Sequence, residues 1–324
     1  MAIDVQDVVT QFGAHYKPGS DNQKNLRNMI YKPGETAQFF APRPTDDTIW
    51  RGTLATLDRV VQPFQKTFTP ISTIKFEPNQ FPLYKLKINL QETPDDLEAT
   101  YLGFLASIPE LDRSQWPFVR WWLEQHVNLK KEEDLETEEY GKGVFVAPQD
   151  GVAGPAGSSM NGIRKVLQGY NAAGRLNLKN GPIDIGQIAE DPADFCTQVE
   201  DFVRAIPSLF RNKLDYIFMS PDLELRYKDG KDAKYNKNYA KDADLLTVNK
   251  FSNISVKGLE SHRDMQLLWA TLPANRIRPQ KKAVLKDTMR LQVDIIQVKA
   301  HTEWWEALNY EVPEFVFTTA GDMA

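Results

Sequence analysis

The chain has 324 residues, of which 41% are hydrophobic and 26% are charged, a composition typical of folded proteins. It excludes both the charge excess of a disordered chain and the apolar excess of a membrane protein. The formal net charge of -5 argues against a protein whose task is to grip nucleic acid, because phosphate binding needs clustered lysine and arginine.

Targeting signals and cysteine content narrow the class further. No run approaches the ~20 apolar residues of a membrane helix, and residues 1–17 lack the basic-then-apolar order of a signal peptide, so we expect an intracellular product. The single cysteine, Cys196, excludes an intrachain disulfide and any metal site built from several cysteines. Because Cys196 lies in a helical stretch, we expect a small buried residue and not a catalytic thiol.

Residues 1 to about 60 have the pattern of an extended arm that carries a few short helices. Three breaks interrupt this segment, at Lys17-Pro18-Gly19, Lys32-Pro33-Gly34 and Ala41-Pro42-Arg43-Pro44. Such a segment cannot build its own core, so its large apolar residues need a surface from the rest of the chain or from another subunit. We therefore predict subunit contacts at Phe39, Phe40 and Trp50.

Two strand-like runs follow the arm, Phe68–Phe76 and Pro82–Gln91, separated by Glu77-Pro78-Asn79-Gln80. They predict a long two-stranded hairpin, which is marginal in water unless a partner covers it. In the second run apolar and polar residues alternate, and we predict further subunit contacts at its apolar positions, Tyr84, Leu86, Ile88 and Leu90. Leu86→Asp or Ile88→Asp should then block assembly and leave the subunit folded.

A long amphipathic helix is predicted to begin at Asp112 or Ser114, with Pro117 in its first turn. It continues into the acidic run of residues 130–139, which is typical of a solvated helix face. The glycine-rich stretch of residues 151–159 predicts a loop. It lacks the order of a phosphate-binding loop.

The second half of the sequence alternates between helix and strand. A periodic helix is predicted over residues 191–211, a strand over Tyr216–Met219, and another helix from Ser220-Pro221, which predicts a small mixed sheet with helices against it. The polar stretch Tyr227–Tyr239 predicts a surface loop. Near the C-terminus, a change of alternation phase after Ile295 predicts a bulge.

Residue patterns for catalysis are weak in this sequence. The four histidines lie far apart, and no pair has the spacing of a zinc site on a helix. Ser261-His262-Arg263-Asp264 contains hydrolase residue types, but neighbours in sequence rarely point at one another as a triad requires. We predict no enzyme activity, no catalytic, cofactor-binding or metal-binding residue, and no cofactor.

The order of these parts resembles the major capsid proteins of tailed bacteriophages, which have the Hong Kong 97-like fold. Local stretches carry the resemblance: Ala205–Arg211 followed by Tyr216–Leu223, then Gly258–Asn275, and the final strands of Met289–Thr319. The resemblance implies an α+β fold divided into an N-terminal arm (1–60), an extended hairpin loop (61–105), a peripheral domain with a spine helix (106–165), an axial domain (166–275) and a return to peripheral strands (276–324).

The resemblance also implies what the protein does. It implies subunits that assemble with copies of themselves into pentamers and hexamers of an icosahedral shell around double-stranded DNA, with portal, scaffold and decoration proteins as further partners and no membrane. It implies a virion capsid assembled in the host cytoplasm. Two alternatives stay open: an encapsulin-like nanocompartment shell, and a carbohydrate-binding protein or enzyme with a tryptophan platform, drawn from Trp116, Trp121, Trp122, Trp304 and Trp305.

Overall fold

The computed structural model describes residues 5–17, 19–30, 34–56, 61–71, 74–235, 245–282, 289–294 and 296–323. The chain contains both helices and sheets, as the predicted α+β class requires. The described strands form a six-stranded sheet, a five-stranded sheet and a two-stranded ribbon.

The arm consists of short helices separated by the predicted breaks. Its described elements are α1 (Val5–His15), α2 (Asp21–Ile30), α3 (Glu35–Gln38) and strand β1 (Ala41–Thr45). Val8 and Leu26 are buried, and the Lys131 ammonium donates a hydrogen bond to the Met29 carbonyl oxygen at 3.0 Å. The rest of the same chain therefore supplies the surface that the arm needs.

The hairpin predicted between residues 68–76 and 82–91 is wrong. Strand β2 (Ile49–Thr56) pairs with β3 (Lys75–Pro82) in an antiparallel ribbon, from Ile49 opposite Pro82 to Thr56 opposite Lys75. The expected turn, residues 77–80, lies inside β3. Pro78 is tolerated there because a two-stranded ribbon leaves each strand one free edge.

Strand β4 (Tyr84–Glu92) belongs instead to the six-stranded sheet, which we call the peripheral sheet. It pairs along its whole length with β11 (Val298–Glu306). The remaining strands of this sheet are β1, β9 (Arg276–Lys281), β10 (Arg290–Val293) and β12 (Asn309–Tyr310). The predicted bulge is a turn between β10 and β11, closed by the Asp294 amide donating to the Gln297 carbonyl oxygen; Ile295 lies outside the described residues.

One face of the peripheral sheet is covered by helices. Helix α4 (Pro94–Ser107) and the 3-10 segment Glu110–Gln115 lead into a continuous helical run over residues 118–139, the spine helix. That run contains α5 (Phe118–Trp122), a π-helical segment (Leu123–Val127), α6 (Asn128–Asp134) and a second π-helical segment (Leu135–Glu139). The spine helix begins later than predicted, because Pro117 precedes it as the N-cap.

The axial lobe contains the five-stranded sheet, in the order β13-β8-β5-β7-β6. Its strands are β5 (Tyr216–Met219), β6 (Thr247–Val248), β7 (Phe251–Gly258), β8 (Trp269–Thr271) and β13 (Val316–Thr318). The helices that pack with this sheet are α8 (Pro192–Ala205), α9 (Ser208–Arg211) and α10 (Pro221–Tyr235), whereas α7 (Ile163–Ala172) packs in the core of the peripheral sheet. The 3-10 turns lie at Asn177–Lys179, Glu260–His262, Pro273–Asn275 and Pro313–Phe315. Strands β5 and β7 are parallel and the other described pairs antiparallel, so the predicted mixed sheet is confirmed.

The surface loop predicted over Tyr227–Tyr239 is wrong where the structure describes it. Residues 227–235 form the second half of α10, and Tyr227 is fully buried. Residues 236–239 lie outside the described residues. The prediction failed for two reasons. The stretch is rich in lysine, which is typical of a loop, and the apolar residues of α10 are too sparsely spaced to form a helical stripe.

Candidate assembly surfaces

The far end of the hairpin exposes large apolar side chains to solvent. We call residues 61–71 and 74–76 the hairpin tip. Phe64 is 94% exposed and Phe68 is 92% exposed. Further exposed apolar residues of the tip are Val61, Ile71, Ile74 and Phe76. An aromatic side chain buries roughly 150–250 Å² when a partner covers it. A group of exposed apolar side chains of this size is typical of an interaction surface.

The base of the hairpin, in contrast, is fixed to the body of the chain. The Asn79 side-chain amide donates hydrogen bonds to the backbone carbonyl oxygens of Tyr310 at 2.8 Å and Glu311 at 3.1 Å. Glu77 accepts a hydrogen bond from the Lys179 ammonium at 2.5 Å, which lowers the pKa of the Glu77 carboxyl. The ribbon is thus anchored as far as Glu77, and the tip lies directly beyond this anchor.

The seven residues predicted to contact other subunits lie mostly against their own chain. Phe40, Leu86 and Tyr84 are buried, with exposures of 1%, 5% and 9%. The other four are half-buried against the same core: Phe39, Trp50, Ile88 and Leu90. Strand β4 carries four of these residues and pairs along its length with β11 of the same subunit. All seven residues belong to, or pack against, one core of that subunit.

Sequence reasoning missed Phe64 and Phe68 as the exposed aromatics. Their signal was present: both phenylalanines lie between Pro63 and Pro70, and Pro70 falls inside the run that was assigned to a strand from Phe68 onward. A short segment that is interrupted by prolines and keeps two phenylalanines cannot bury both of them locally. That combination predicts apolar residues that need a partner.

A second exposed surface lies on α4 and the 3-10 segment that follows it. We call residues 94–115 the acidic platform. Leu111 is 91% exposed there, and Leu102 is also exposed. Five acidic residues and a single arginine make the platform strongly negative, namely Asp95, Asp96, Glu98, Glu110, Asp112 and Arg113.

The acidic platform is packed firmly onto the spine helix. The Tyr101 hydroxyl donates to the Trp116 carbonyl oxygen at 2.6 Å, and the Tyr101 ring lies 5.4 Å from that of Trp121. Phe104 packs edge-on against Trp116 with ring centroids 5.1 Å apart. The aromatic residues on the inner side of the platform therefore pack against the residues around the spine helix. This packing holds the segment that carries Leu111 in place.

A buried chain of hydrogen bonds ties the arm to the spine helix. The Trp269 indole N–H donates to His262 Nε2 at 2.8 Å, and His262 Nδ1 lies 2.9 Å from the Ser261 hydroxyl. The Ser261 hydroxyl lies 2.6 Å from the hydroxyl of Thr36, which donates to the Glu136 carboxylate. The Thr36 amide also donates to Glu136, at 3.1 Å.

The direction of every hydrogen in that chain follows from its two ends. An indole N–H can only donate, so His262 Nε2 accepts and its Nδ1 carries the proton. Burial lowers the pKa of His262 to about 3, which keeps the ring neutral. Ser261 then donates to Thr36, and Thr36 donates to the carboxylate. His262 therefore meets an indole and not a carboxylate, so Ser261-His262 is a structural pair and not part of a triad.

Other candidate groups for catalysis are equally unsupported. Cys196 is buried, and burial raises the pKa of its thiol to about 11. Among the described residues, no cluster of three or more His, Cys, Asp or Glu could hold a metal ion. A groove of about 590 Å³ lies between the hairpin base and α7, and its described lining has two cations and several amides but no carboxylate, histidine, serine or cysteine.

The alternative of a tryptophan platform is not supported by the placement of the rings. Trp121, Trp122 and Trp304 are buried in the core that joins the spine helix and the peripheral sheet. Trp116 is half-buried beneath the Arg120 guanidinium, and Trp305 lies half-buried on a different element. These rings do not form one open surface on which a sugar could stack.

No helix in the described part of the chain is both long and apolar enough to cross a bilayer.

Searches of protein-family models and of curated proteins found no match.

Solved structures share the fold over nearly the whole chain. A chain of the satellite phage P4 procapsid matches with a TM-score of 0.58 at 10% identity, covering 97% of both chains. The capsid of the Myoviridae phage XM1 matches with a TM-score of 0.52 at 10% identity, over 88% of this chain and 90% of that one. The capsid of the native GTA particle matches with a TM-score of 0.52 at 13% identity, over 87% and 88%. The predicted fold is confirmed.

Proposed function

We propose, from the Hong Kong 97-like fold that this chain shares with phage capsid chains, that it is the major capsid protein of a tailed bacteriophage. Copies of the chain assemble into pentamers and hexamers of an icosahedral shell that encloses a double-stranded DNA genome. The protein works by binding itself and catalyses no reaction.

The hairpin tip is the observation that carries this proposal. A tip with two phenylalanines more than nine-tenths exposed is unfavourable in water at the end of an anchored ribbon. Neighbouring copies can cover one another's tips in a closed shell, where every subunit both gives and receives a contact. An isolated subunit has no such cover.

Shell assembly does not require any single contact to be strong. A stable pairwise interface buries at least about 1,200 Å², and each subunit of a shell makes several contacts at once. Once a few contacts hold a subunit, the others form at high effective concentration. Moderate contacts at the hairpin tip and elsewhere are therefore sufficient for a durable container.

The mildly acidic net charge suits a wall that packaged DNA lies against without adhering. We propose that assembly takes place in the host cytoplasm and ends in the virion capsid. Portal, scaffold and decoration proteins would be the further partners. None of these proteins is needed to explain the surfaces described above.

Expression of the chain alone tests the proposal. Sedimentation velocity and negative-stain microscopy should reveal closed particles or capsomer-sized rings in equilibrium with free subunits. A protein that stays monomeric at all concentrations and salt conditions would contradict shell formation. Particles that contain a packaged enzyme would instead identify a nanocompartment shell of the same fold.

A further inference from the structure

The side of the peripheral sheet that faces away from the spine helix is open to solvent. Residues of β4 and β11 alternate between the two sides, with Leu86 opposite Trp304 on the buried side and Lys87 opposite Glu303 on the other. We call this second side the open face. It consists of every second residue of β4 from Lys85 to Gln91 and of β11 from Lys299 to Trp305, together with Lys281 of β9 and Arg290 and Gln292 of β10.

The open face is basic, although the whole chain carries a net charge of -5. Its described residues include one carboxylate, that of Glu303, and five basic side chains: Lys85, Lys87, Lys281, Arg290 and Lys299. The Nζ atoms of Lys85 and Lys281 lie 6.0 Å and 5.6 Å from the centroid of the Trp305 ring, which places both ammonium groups near the middle of the face. Positive charge is therefore concentrated on a rigid sheet.

A groove of about 460 Å³ crosses β4, β11 and β10 within this basic region. Its described lining contains the basic side chains of Arg290 and Lys299, the imidazole of His301 and several amides, and no carboxylate. Amide and guanidinium N–H groups donate hydrogen bonds to carboxylate oxygens. The groove thus provides charge and hydrogen-bond donors for an anionic group.

We propose that the open face binds an acidic polypeptide segment of a partner protein, with the carboxylates of that segment against the lysines and the groove. The inference goes beyond the proposed shell function and does not depend on it, because the face belongs to every subunit, assembled or free. The nine paired residues of β4 and β11 make the face roughly 30 Å long at ~3.4 Å per residue. A helix or an extended segment about 10 Å wide fits along these strands.

The charges on the face favour an acidic polypeptide over a nucleic acid. Glu303 lies among the basic residues, and Asp294 at the rim pairs with Lys299 at 2.8 Å. A phosphate backbone is uniformly negative and would meet these carboxylates, whereas a polypeptide can place neutral or basic residues there. The Trp305 ring lies beneath two lysines, so it is not open for a base to stack on.

The charges also argue against the hairpin tip of a second copy as the occupant. The charged residues of the described tip are Lys66 and Lys75, which would face the basic side chains of the open face. Like charges across an interface oppose binding.

Fluorescence anisotropy with the purified protein tests the proposal. The probe is a fluorescein-labelled Glu-Ala repeat peptide, and the references are a Gln-Ala repeat of equal length and a labelled DNA duplex. We expect the Glu-Ala peptide to bind at low ionic strength and to dissociate as salt is added, because exposed charges are screened. The Gln-Ala peptide should not bind.

Paired substitutions locate the binding surface. Lys87→Gln with Lys281→Gln should raise the Kd of the Glu-Ala peptide roughly tenfold, as expected for the loss of two exposed ion pairs. The matched control, Lys165→Gln with Lys213→Gln, removes two exposed lysines outside the open face and should leave the Kd within twofold of wild type, roughly. Circular-dichroism melts verify that both variants are folded.

Glu303→Gln gives a change in the opposite direction. Because this substitution removes the carboxylate from the middle of the open face, it should lower the Kd of the Glu-Ala peptide by roughly twofold. A merely destabilising substitution would raise the Kd, so the sign of the effect separates the two.

Four results would overturn the proposal. They are an absence of binding to the Glu-Ala peptide, an equal loss of binding in the control variant, tighter binding of the DNA duplex through the same lysines, and binding by free subunits that disappears in particles. The third result would assign the face to nucleic acid, and the fourth would show that a second copy covers it. A wild-type chain that binds the peptide but never assembles would contradict the shell function alone.

Discussion

Leu86 and Phe68 are both apolar residues from the region that the sequence predicts as one hairpin, yet the folded chain places them in opposite environments. Leu86 is buried opposite Trp304 of β11, whereas Phe68 faces solvent. The alternating pattern around Leu86 reports that one face is covered. It does not report which strand covers it, because that depends on a pairing more than 200 residues away in sequence.

Aspartate substitutions at these two positions should therefore have different effects. Leu86→Asp should unfold the subunit, because burying an unpaired carboxylate in a core site costs several kcal/mol. Phe68→Asp should leave the melting temperature unchanged and abolish assembly. Circular-dichroism melts and sedimentation velocity distinguish the two; a folded Leu86→Asp subunit that merely fails to assemble would restore the contact first predicted for Leu86.

Glu136 is a second residue whose role is visible only in the fold. Burial raises the pKa of its carboxyl, the hydrogen bonds from Thr36 oppose that rise, and nearby Glu35, itself paired with Lys257, adds to it. The pKa of the Glu136 carboxyl is therefore higher in the folded protein than in the unfolded chain. As a result, keeping Glu136 ionised at neutral pH lowers the free energy of unfolding. That cost disappears as the pH falls toward the unfolded value.

Glu136→Gln removes this dependence and retains an acceptor for Thr36. As the pH falls from neutral toward the pKa of an unfolded glutamate, wild-type protein should gain stability relative to Glu136→Gln, measured as the difference in urea unfolding free energy at each pH. Glu138→Gln, a change at a partly exposed position on the same helix that pairs with Lys142, controls for loss of a surface carboxylate. A constant difference between wild type and Glu136→Gln across this range would contradict the burial effect.

At the scale of elements, helices and strands with a regular apolar periodicity could be predicted from the sequence, whereas irregular elements could not. The axial helix from Pro192 and the strand Tyr216–Met219 follow from apolar spacing and the caps around them. The two π-helical segments of the spine helix were not predictable, since each adds a residue to a turn without changing which residues are apolar. Helix α4 was missed because its apolar residues are spread around its circumference.

The hairpin as an element should be dispensable for folding and necessary for assembly. Replacing residues 57–74 with Asn-Gly joins the paired residues Thr56 and Lys75 through a tight turn that suits a two-residue hairpin loop. We expect a folded, soluble monomer whose melting temperature lies within a few degrees of wild type. Particles formed by this variant would show that the tip is not an assembly surface.

At the scale of the whole molecule, the described residues form two cores. One joins the arm, the spine helix and the peripheral sheet, and the other fills the axial lobe between its sheet and helices α8 and α10. Each lobe is complete within one chain, and the arm is covered by its own subunit. Among the described residues, the hairpin tip carries the largest group of exposed large apolar side chains. The contacts predicted on β4 fall on positions that are buried or half-buried within their own subunit.

A cryo-EM reconstruction of particles assembled from the wild-type chain tests the central claim most directly. We expect a closed icosahedral shell of pentamers and hexamers in which each hairpin tip is buried against a neighbouring copy. A shell in which Phe64 and Phe68 remain exposed to solvent, or a preparation that contains only free subunits, would contradict it.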